Sequence, residues 1–285
     1  MTRLNLSELA ARSAAAGVGV SGFVSRQQAD AVALKELQDW LLGQCESQYF
    51  LHYLRGGLQH WSRRWEYPYV LSQVARWISS RADPAAPCTL FDNACGVNAT
   101  AYLLATAGHH LIGTDLGDQP SAEGDLPSSA WSHPDLAAVG GSLHFQTADS
   151  LALPFPDAHF DGSYSISSLE HMPDPIQAVR EMIRVTRPGG LVTFTMDVAP
   201  CPSAVADESQ VNRSNFADLQ ALLASSTDFF SPPCFMIPDD ALSWRQDCRR
   251  SSGLRAAAGQ LRRRLVGQPE TPDFHVFGGA YIKRS

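Results

Sequence analysis

The sequence predicts an α/β protein: a mostly parallel sheet with helices on both faces, preceded by a helical layer. Three observations predict it. From Cys88 onward, short apolar runs alternate with stretches of helical period, the pattern of βαβ units. The first of these runs ends in small residues and leads straight into a helix start. Upstream, residues 27–80 place apolar side chains at helical spacing.

Residues 1–20 are Ala-rich but broken by Glu8, Arg12 and several glycines, so they read as a mobile arm. Val32, Leu37, Leu41 and Leu42 recur at helical spacing, and a second helical pattern runs from Val70 to Ile78. Between them lies an aromatic stretch, interrupted by Gly56-Gly57 and Pro68. The break Asp83-Pro84-Ala85-Ala86-Pro87 then separates an N-terminal unit, 1–87, from a core unit, 88–285. In the core, strands are expected near 88–93, 110–115, 143–147, 160–166, 191–197 and 275–283. Helices are expected near 98–107, 174–186 and 214–226, the second closing at Arg187-Pro188-Gly189-Gly190. Residues 117–141, rich in Gly, Pro, Ser and Asp, form an insertion after the second core strand. A C-terminal insertion spans about 198–272, and its Arg-rich part from 238 is expected to be helical in its middle.

Composition narrows the function. With 285 residues, 44% of them hydrophobic and 18% charged, the chain can bury a large core and is not a disordered polymer. It has no apolar run long enough to span a bilayer, which takes about 18 residues or more. The N-terminus lacks the compact apolar run of a secretory signal, so a cytoplasmic protein is expected, with no membrane partner. Cys45, Cys88, Cys95, Cys201, Cys234 and Cys248 form no CxxC pair and read as reduced, mostly buried thiols. The histidines show no HxH or HExxH spacing, and no metal is expected. A net charge of −7 disfavours a nucleic-acid partner. The seven arginines between Arg245 and Arg264 fit the solvated face of a surface helix better than an anion or RNA contact.

The chemistry concentrates at the strand ends. Asp92-Asn93-Ala94-Cys95-Gly96 closes the first core strand, and a helix follows. Such a turn lets backbone N–H groups approach a ligand, and the helix start favours an anion. Asp115, about 20 residues further on, ends the second strand, where an acid accepts two hydrogen bonds from a ribose diol. Taken alone, these two elements suit a dinucleotide equally well, and Asp115 also suits a helix cap.

A third element separates the readings. Ala148-Asp149 follows the third strand, Leu153-Pro154-Phe155-Pro156-Asp157-Ala158-His159-Phe160-Asp161 leads into the fourth, Glu170-His171-Met172-Pro173-Asp174-Pro175 follows it, and Arg187-Pro188-Gly189-Gly190 comes next. In this order the motifs of 88–197 resemble the class I SAM-dependent methyltransferases (SAM is S-adenosylmethionine), in particular the ubiquinone/menaquinone-type small-molecule branch. The resemblance implies a Rossmann-like sheet of seven strands, an N-terminal helical lid, SAM as cofactor and S-adenosylhomocysteine (SAH) as product. It implies that the backbone of Asn93, Ala94 and Gly96 passes the methionine part, that Asp92 organises its amino end, and that Asp115 binds the ribose. Asp149 would then bind the adenine amino group, with Ala148 against the ring, Leu116 and Ser150 beside these acids, and Ser167 close to the sulfonium. Ala94 and Asn98 stand where the family usually has glycine; the asparagine is expected to crowd the loop or to add a polar contact.

The sulfonium is an activated electrophile, so the protein mainly aligns a nucleophile and excludes water. A base is needed only for a protonated acceptor. His171 is the first candidate base, read alternatively as a cap or packing residue, and Glu170 ranks behind it. Asp197 ends the fifth strand as a substrate contact. Tyr53, Trp61, Trp65 and Tyr67 belong to the aromatic stretch and fit a lid over an apolar acceptor, or equally an ordinary helical layer. Arg63 and Arg64 fit a carboxylate clamp or a solvated face. The fourth strand is not followed by an Asn/Asp-Pro-Pro-Tyr/Phe loop, and Pro200-Cys201 follows the fifth strand, which argues against known patterns of base or glutamine methylation.

The expected activity is methyl transfer to an oxygen or nitrogen, less so a carbon, of a small metabolite, by a monomer or homodimer. Two rivals stand beside it. One is a SAM-binding regulatory or scaffold protein without activity. The other is an NAD-dependent oxidoreductase, for which the two lysines, Lys35 and Lys283, are poorly placed.

Overall fold

The computed structural model describes residues 3–117, 120–121, 123–199, 211, 213–244 and 274–285. The Arg-rich run 245–264, Cys201 and Cys248 lie outside the described residues.

Five helices precede the core: α1 (Leu6–Ala15), α2 (Arg26–Ala29), α3 (Val32–Gln44), α4 (Gln48–Gln59) and α5 (Arg63–Ser80), with a two-residue strand β1 (Gly22–Phe23) after α1. Helix α5 runs straight through Pro68, where the sequence suggested an interruption. A proline removes one helical hydrogen bond, but α5 is buried from Trp65 to Ala75, so packing holds the helix together. The core continues with β2 (Thr89–Asn93), α6 (Thr100–Thr106), β3 (His110–Asp115), α7 (Pro127–Trp131), β4 (Ser142–Thr147), β5 (Phe160–Ile166), α8 (Pro175–Val185), β6 (Thr186–Val198), α9 (Arg213–Ser226), β7 (Thr227–Ser231) and β8 (His275–Lys283).

The sheet has the order β1-β8-β6-β5-β2-β3-β4, and β7 also pairs with β8. Strands β4, β3, β2, β5 and β6 are mutually parallel, and β8 is antiparallel to β6. This is the expected Rossmann-like α/β architecture, and among the described residues the sheet holds eight strands where seven were expected. Strands β7 and β1 divide the free edge of β8, pairing with Ala280–Lys283 and with Phe277–Gly278. At their junction Cys234 N–H donates to Ser21 O at 3.1 Å, and Phe23 N–H donates to Cys234 O at 3.2 Å. Gly22 has φ +127°, and a Cβ there would lie 2.4 Å from the Cys234 carbonyl oxygen, so the crossing requires glycine.

The N-terminal segment is therefore not a mobile arm. Leu9 and Val18 are buried, Arg3 donates to Ala107 O, and α1 packs along α5. A second correction concerns Arg187-Pro188-Gly189-Gly190. Helix α8 has already ended at Val185, and Thr186 pairs with Phe160 as the start of β6. The register then jumps to Gly162↔Leu191, so the four residues bulge out, and the bulge accepts the Trp77 indole N–H at Gly189 O, 3.3 Å.

Side chains alternate across β6. Val192, Phe194, Met196 and Val198 join α8 and α9 in one core, whereas Leu191 and Val276 join the α1–α6 layer in the other. Thr193, Thr195 and Asp197, on the Leu191 side, consequently face α5.

Candidate functional site

Adjacent parallel strands carry Asp92, Asp115 and Asp149 to one edge of the sheet. Asp92 pairs in register with Gly113 and Tyr164, Asp115 with Thr147, and Ala148 N–H donates to Asp115 O. The three acids have different surroundings. Asp92 is 1% exposed, its Oδ2 has no hydrogen-bond partner, and burial pushes its carboxyl up to about 8 against a counter-pull from the Tyr164 hydroxyl and Asn98. Asp115 is half-buried and accepts the Gly96 N–H at 3.0 Å and the Leu116 N–H at 2.9 Å. Asp149 is exposed and accepts the Leu151 N–H at 2.8 Å, between buried Ala148 and Ser150; Leu116 is exposed.

The turn after β2 is held in a narrow conformation. Ala94 has φ 55° and Gly96 φ 48°. Asn98 does not crowd the loop. Its amide donates to Cys95 O at 2.6 Å and its oxygen accepts the Thr100 N–H at 2.8 Å, closing the turn and starting α6. Asn93 is fully buried, and both its side-chain polar atoms lack partners, as does Asp92 Oδ2 beside it. Buried polar groups are nearly always satisfied, so orphans gathered on a glycine-containing turn fit a bound polar group such as the methionine end of SAM.

The second half of the site stands on β5 and β6. Ser167 ends β5 at φ 50°; its N–H donates to Thr195 Oγ1 and its hydroxyl to Glu170 Oε1 at 3.1 Å. The Ser168 hydroxyl donates to Ala94 O at 3.3 Å, joining this corner to the first turn. His171, the first candidate base, is exposed on the 3-10 turn Leu169–His171. Glu170, ranked behind it, is 0% exposed, and burial together with Glu66 pushes its carboxyl up to about 8. Asp197 sits at the end of β6, raised well above the usual carboxylate range by burial and then by Glu170 and Glu66.

The aromatic stretch separates into distinct duties. Tyr53, expected to touch substrate, instead donates to Asp125, with Ser121 beside it, and so pins the 117–141 insertion to α4. His133 stacks on Tyr49 at 4.1 Å, and Trp131 lies flat on Gly113 of β3. Trp65 is buried and stacks on Tyr69 at 4.5 Å over Gly278. Trp61 packs half-buried against the helical core. Tyr67 is buried against Gly57, with its hydroxyl in electrostatic reach of Arg63, Glu66 and Asp92. Arg64 pairs with Asp30 at 3.2 Å and so turns away from the clamp role, while Arg63 faces Glu66 and Asp197. The sequence reasoning missed Glu66. Its signal was an acid set between two aromatic residues, Trp65 and Tyr67, in the aromatic stretch.

A parallel α/β sheet with acids on three neighbouring strand ends and a glycine turn after the first is the architecture of the class I SAM-dependent methyltransferases. Residues 91–194 match the family described as a methyltransferase domain. O-methyltransferase cnsE of Penicillium expansum is 30% identical over 173 residues, covering 60% of this chain and 55% of that protein. The 27-O-demethylrifamycin SV methyltransferase of Amycolatopsis mediterranei is 28% identical over 183 residues, covering 60% and 65%. Matches to the first three curated relatives cover 55%, 28% and 50% of their lengths, so the chain spans about half of them or less. Among solved structures, a putative methyltransferase from Bacillus halodurans shares the fold over 75% of this chain and 100% of its own, at 15% identity and a TM-score of 0.50.

Proposed function

We propose that the protein is a SAM-dependent methyltransferase that moves a methyl group to an oxygen or nitrogen, less so a carbon, of a small metabolite by in-line displacement. The observation that carries this reading is the row Asp92, Asp115 and Asp149 on adjacent strand ends, around a turn whose buried polar atoms lack partners. The match of 91–194 to a methyltransferase domain and relatives named as O-methyltransferases support it, and the motif order favours the ubiquinone/menaquinone-type branch.

SAM, when bound, supplies a methyl group on a positively charged sulfur. The chain's own residues do the rest. The N–H groups around Gly96 approach the methionine end, Asp92 and Asn93 satisfy its polar atoms, Asp115 takes the ribose and Asp149 the adenine amino group. Ala148 packs the ring, and Leu116 and Ser150 border it. Ser167 and Asp197 face the acceptor side, with Trp61, Trp65 and Tyr67 of the helical layer excluding water above. The unit 1–87 acts as the lid, and 198–272 shapes acceptor choice. The reading takes the protein as a cytoplasmic monomer or homodimer without a membrane partner, and the net charge of −7 speaks against a nucleic-acid partner; no helix among the described residues is long and apolar enough to cross a membrane.

Calorimetry with SAM, SAH and NAD tests the reading, followed by transfer of labelled methyl groups to a set of phenols, alcohols and amines. Binding of SAM and SAH with labelled product is expected. Tight NAD binding without SAM binding would refute it.

A further inference from the structure

Three carboxyl groups from three different elements gather beside Ser167, two of them buried and that of Asp197 half-buried. Glu66 enters from α5, Glu170 from the turn after β5, and Asp197 from the end of β6. Ser167 donates to Glu170 at 3.1 Å and its hydroxyl also lies close to Glu66, while Glu66 raises the pKa of Glu170 and both raise that of Asp197, which places the three within electrostatic reach. Glu66 and Glu170 are both 0% exposed. Both Glu66 oxygens and Glu170 Oε2 lack a hydrogen-bond partner, although the hydroxyls of Ser62, Thr195 and Ser167 lie close enough to Glu66 to ease its charge. Arg63 eases the charge on both Glu66 and Asp197.

A fold that encloses the carboxyls of Glu66 and Glu170 with Arg63 as the cation beside Glu66 carries a penalty of several kcal/mol per uncompensated charge. Protons relieve it in the free protein. A ligand bearing positive charge would relieve it when the site is filled. The position singles out the ligand. Ser168 joins the Glu170 corner to Ala94 O, and Tyr67 lies in reach of both Glu66 and Asp92, so the acids border the turn proposed to hold the methionine part of SAM.

We infer that Glu66, Glu170 and Asp197 form an onium-recognition site that favours the positively charged sulfonium of SAM over the neutral thioether of SAH. This rests on the methyltransferase reading and deepens it, because the spent cofactor loses the charge that the acids hold and is thereby released.

The test is binding to the full chain, with no acceptor needed. Calorimetry at pH 7.5 would compare SAM, SAH and sinefungin, which carries an amine in place of the methylated sulfur. The wild-type protein should prefer SAM and sinefungin to SAH. Glu66→Gln, Glu170→Gln and Asp197→Asn should each reduce that preference, roughly tenfold for the most strongly coupled position, with SAH affinity little changed. Retained SAH binding reports that a variant is folded. Wild-type protein in two buffers of different ionisation enthalpy gives a reading free of variants: SAM binding should release protons and SAH binding should not. A preference unaltered in all three variants, or equal proton release with both ligands, would overturn the inference while leaving SAM binding intact. Failure of wild type to bind either SAM or SAH would overturn the methyltransferase reading as well.

Discussion

The Gly96 N–H donates to Asp115 Oδ2 at 3.0 Å, so the carboxylate proposed to bind the ribose also holds the turn proposed to approach the methionine end. Its other oxygen accepts the Leu116 N–H at 2.9 Å. Asp115→Ala should therefore do two things at once: weaken SAM binding by roughly 1–3 kcal/mol and loosen the turn. Calorimetry reads the first effect, and amide exchange at 94–98 reads the second. A variant with unaltered affinity would remove Asp115 from the ribose role.

Ala94 holds φ 55° at the centre of that turn. The left-handed region costs an L-residue about 1–2 kcal/mol, and glycine's extra freedom in the unfolded chain returns about 0.4–1 kcal/mol of that. Ala94→Gly should accordingly leave the protein unchanged or stabilise it by up to about 1.6 kcal/mol, measured by denaturant unfolding. Marked destabilisation would show that the methyl group makes a packing contact outweighing the backbone strain.

These two positions show how much was legible in the sequence. Period and length located the strands around Asp92, Asp115 and Asp149 closely, because βαβ units repeat a simple alternation that burial enforces. Strands β1 and β7 were not legible: each is short, and each exists only by docking on β8, a long-range partner that local pattern does not encode. Within the site, strand-end acids could be read from motif order, but direction could not. Glu170 and His171 are neighbours, and only the 3-10 turn decides that the glutamate points inward while the histidine faces solvent. Glu66 stayed hidden because its meaning depends on β6 passing beneath α5.

Tyr53 ties α4 to the 117–141 insertion through Asp125 and Ser121. Tyr53→Phe keeps the ring packing and removes the hydroxyl, at a cost of about 1–3 kcal/mol if the acceptors stay buried. Hydrogen exchange should quicken selectively in 121–138, next to β3, while α8 keeps its protection. Uniform exchange across the chain would show that the insertion is held by Trp131 and His133 instead.

Buried ionisable groups set the pH dependence of stability. The Asp92 and Glu170 carboxyls are pushed up to about 8, so between about pH 4 and pH 8 the folded state holds protons that the unfolded chain has released, and stability falls as pH rises. Burial lowers His109 to about 4, which works the other way between about pH 4 and 6.5, where the unfolded chain holds the extra proton. Above pH 6.5 only the fall remains. Urea unfolding of the ligand-free protein should show lower stability at pH 8 than at pH 6.5, and Glu170→Gln should reduce the difference. Rising stability over that interval would contradict the buried state of both acids.

The placement of Glu66 depends on a glycine in another element. Trp65 and Tyr69 stack at 4.5 Å and lie on Gly278 of β8; a Cβ at 278 would come within 2.7 Å of the Trp65 ring and 2.8 Å of the Tyr69 ring. Neither ring can retreat easily, because both are buried and the Tyr69 hydroxyl is held by Ser21 at 2.7 Å. Gly278→Ala should therefore lift the start of α5 from the sheet and destabilise the protein by roughly 1–3 kcal/mol, the usual cost of overpacking. Because Glu66 follows Trp65 directly, the same change should withdraw its carboxylate from Asp197. The preference for SAM over SAH should then fall in Gly278→Ala as it does in Glu66→Gln, although residue 278 carries no charge. Loss of stability with the preference intact would show that Glu66 is positioned by the helix below it and not by the stacked rings.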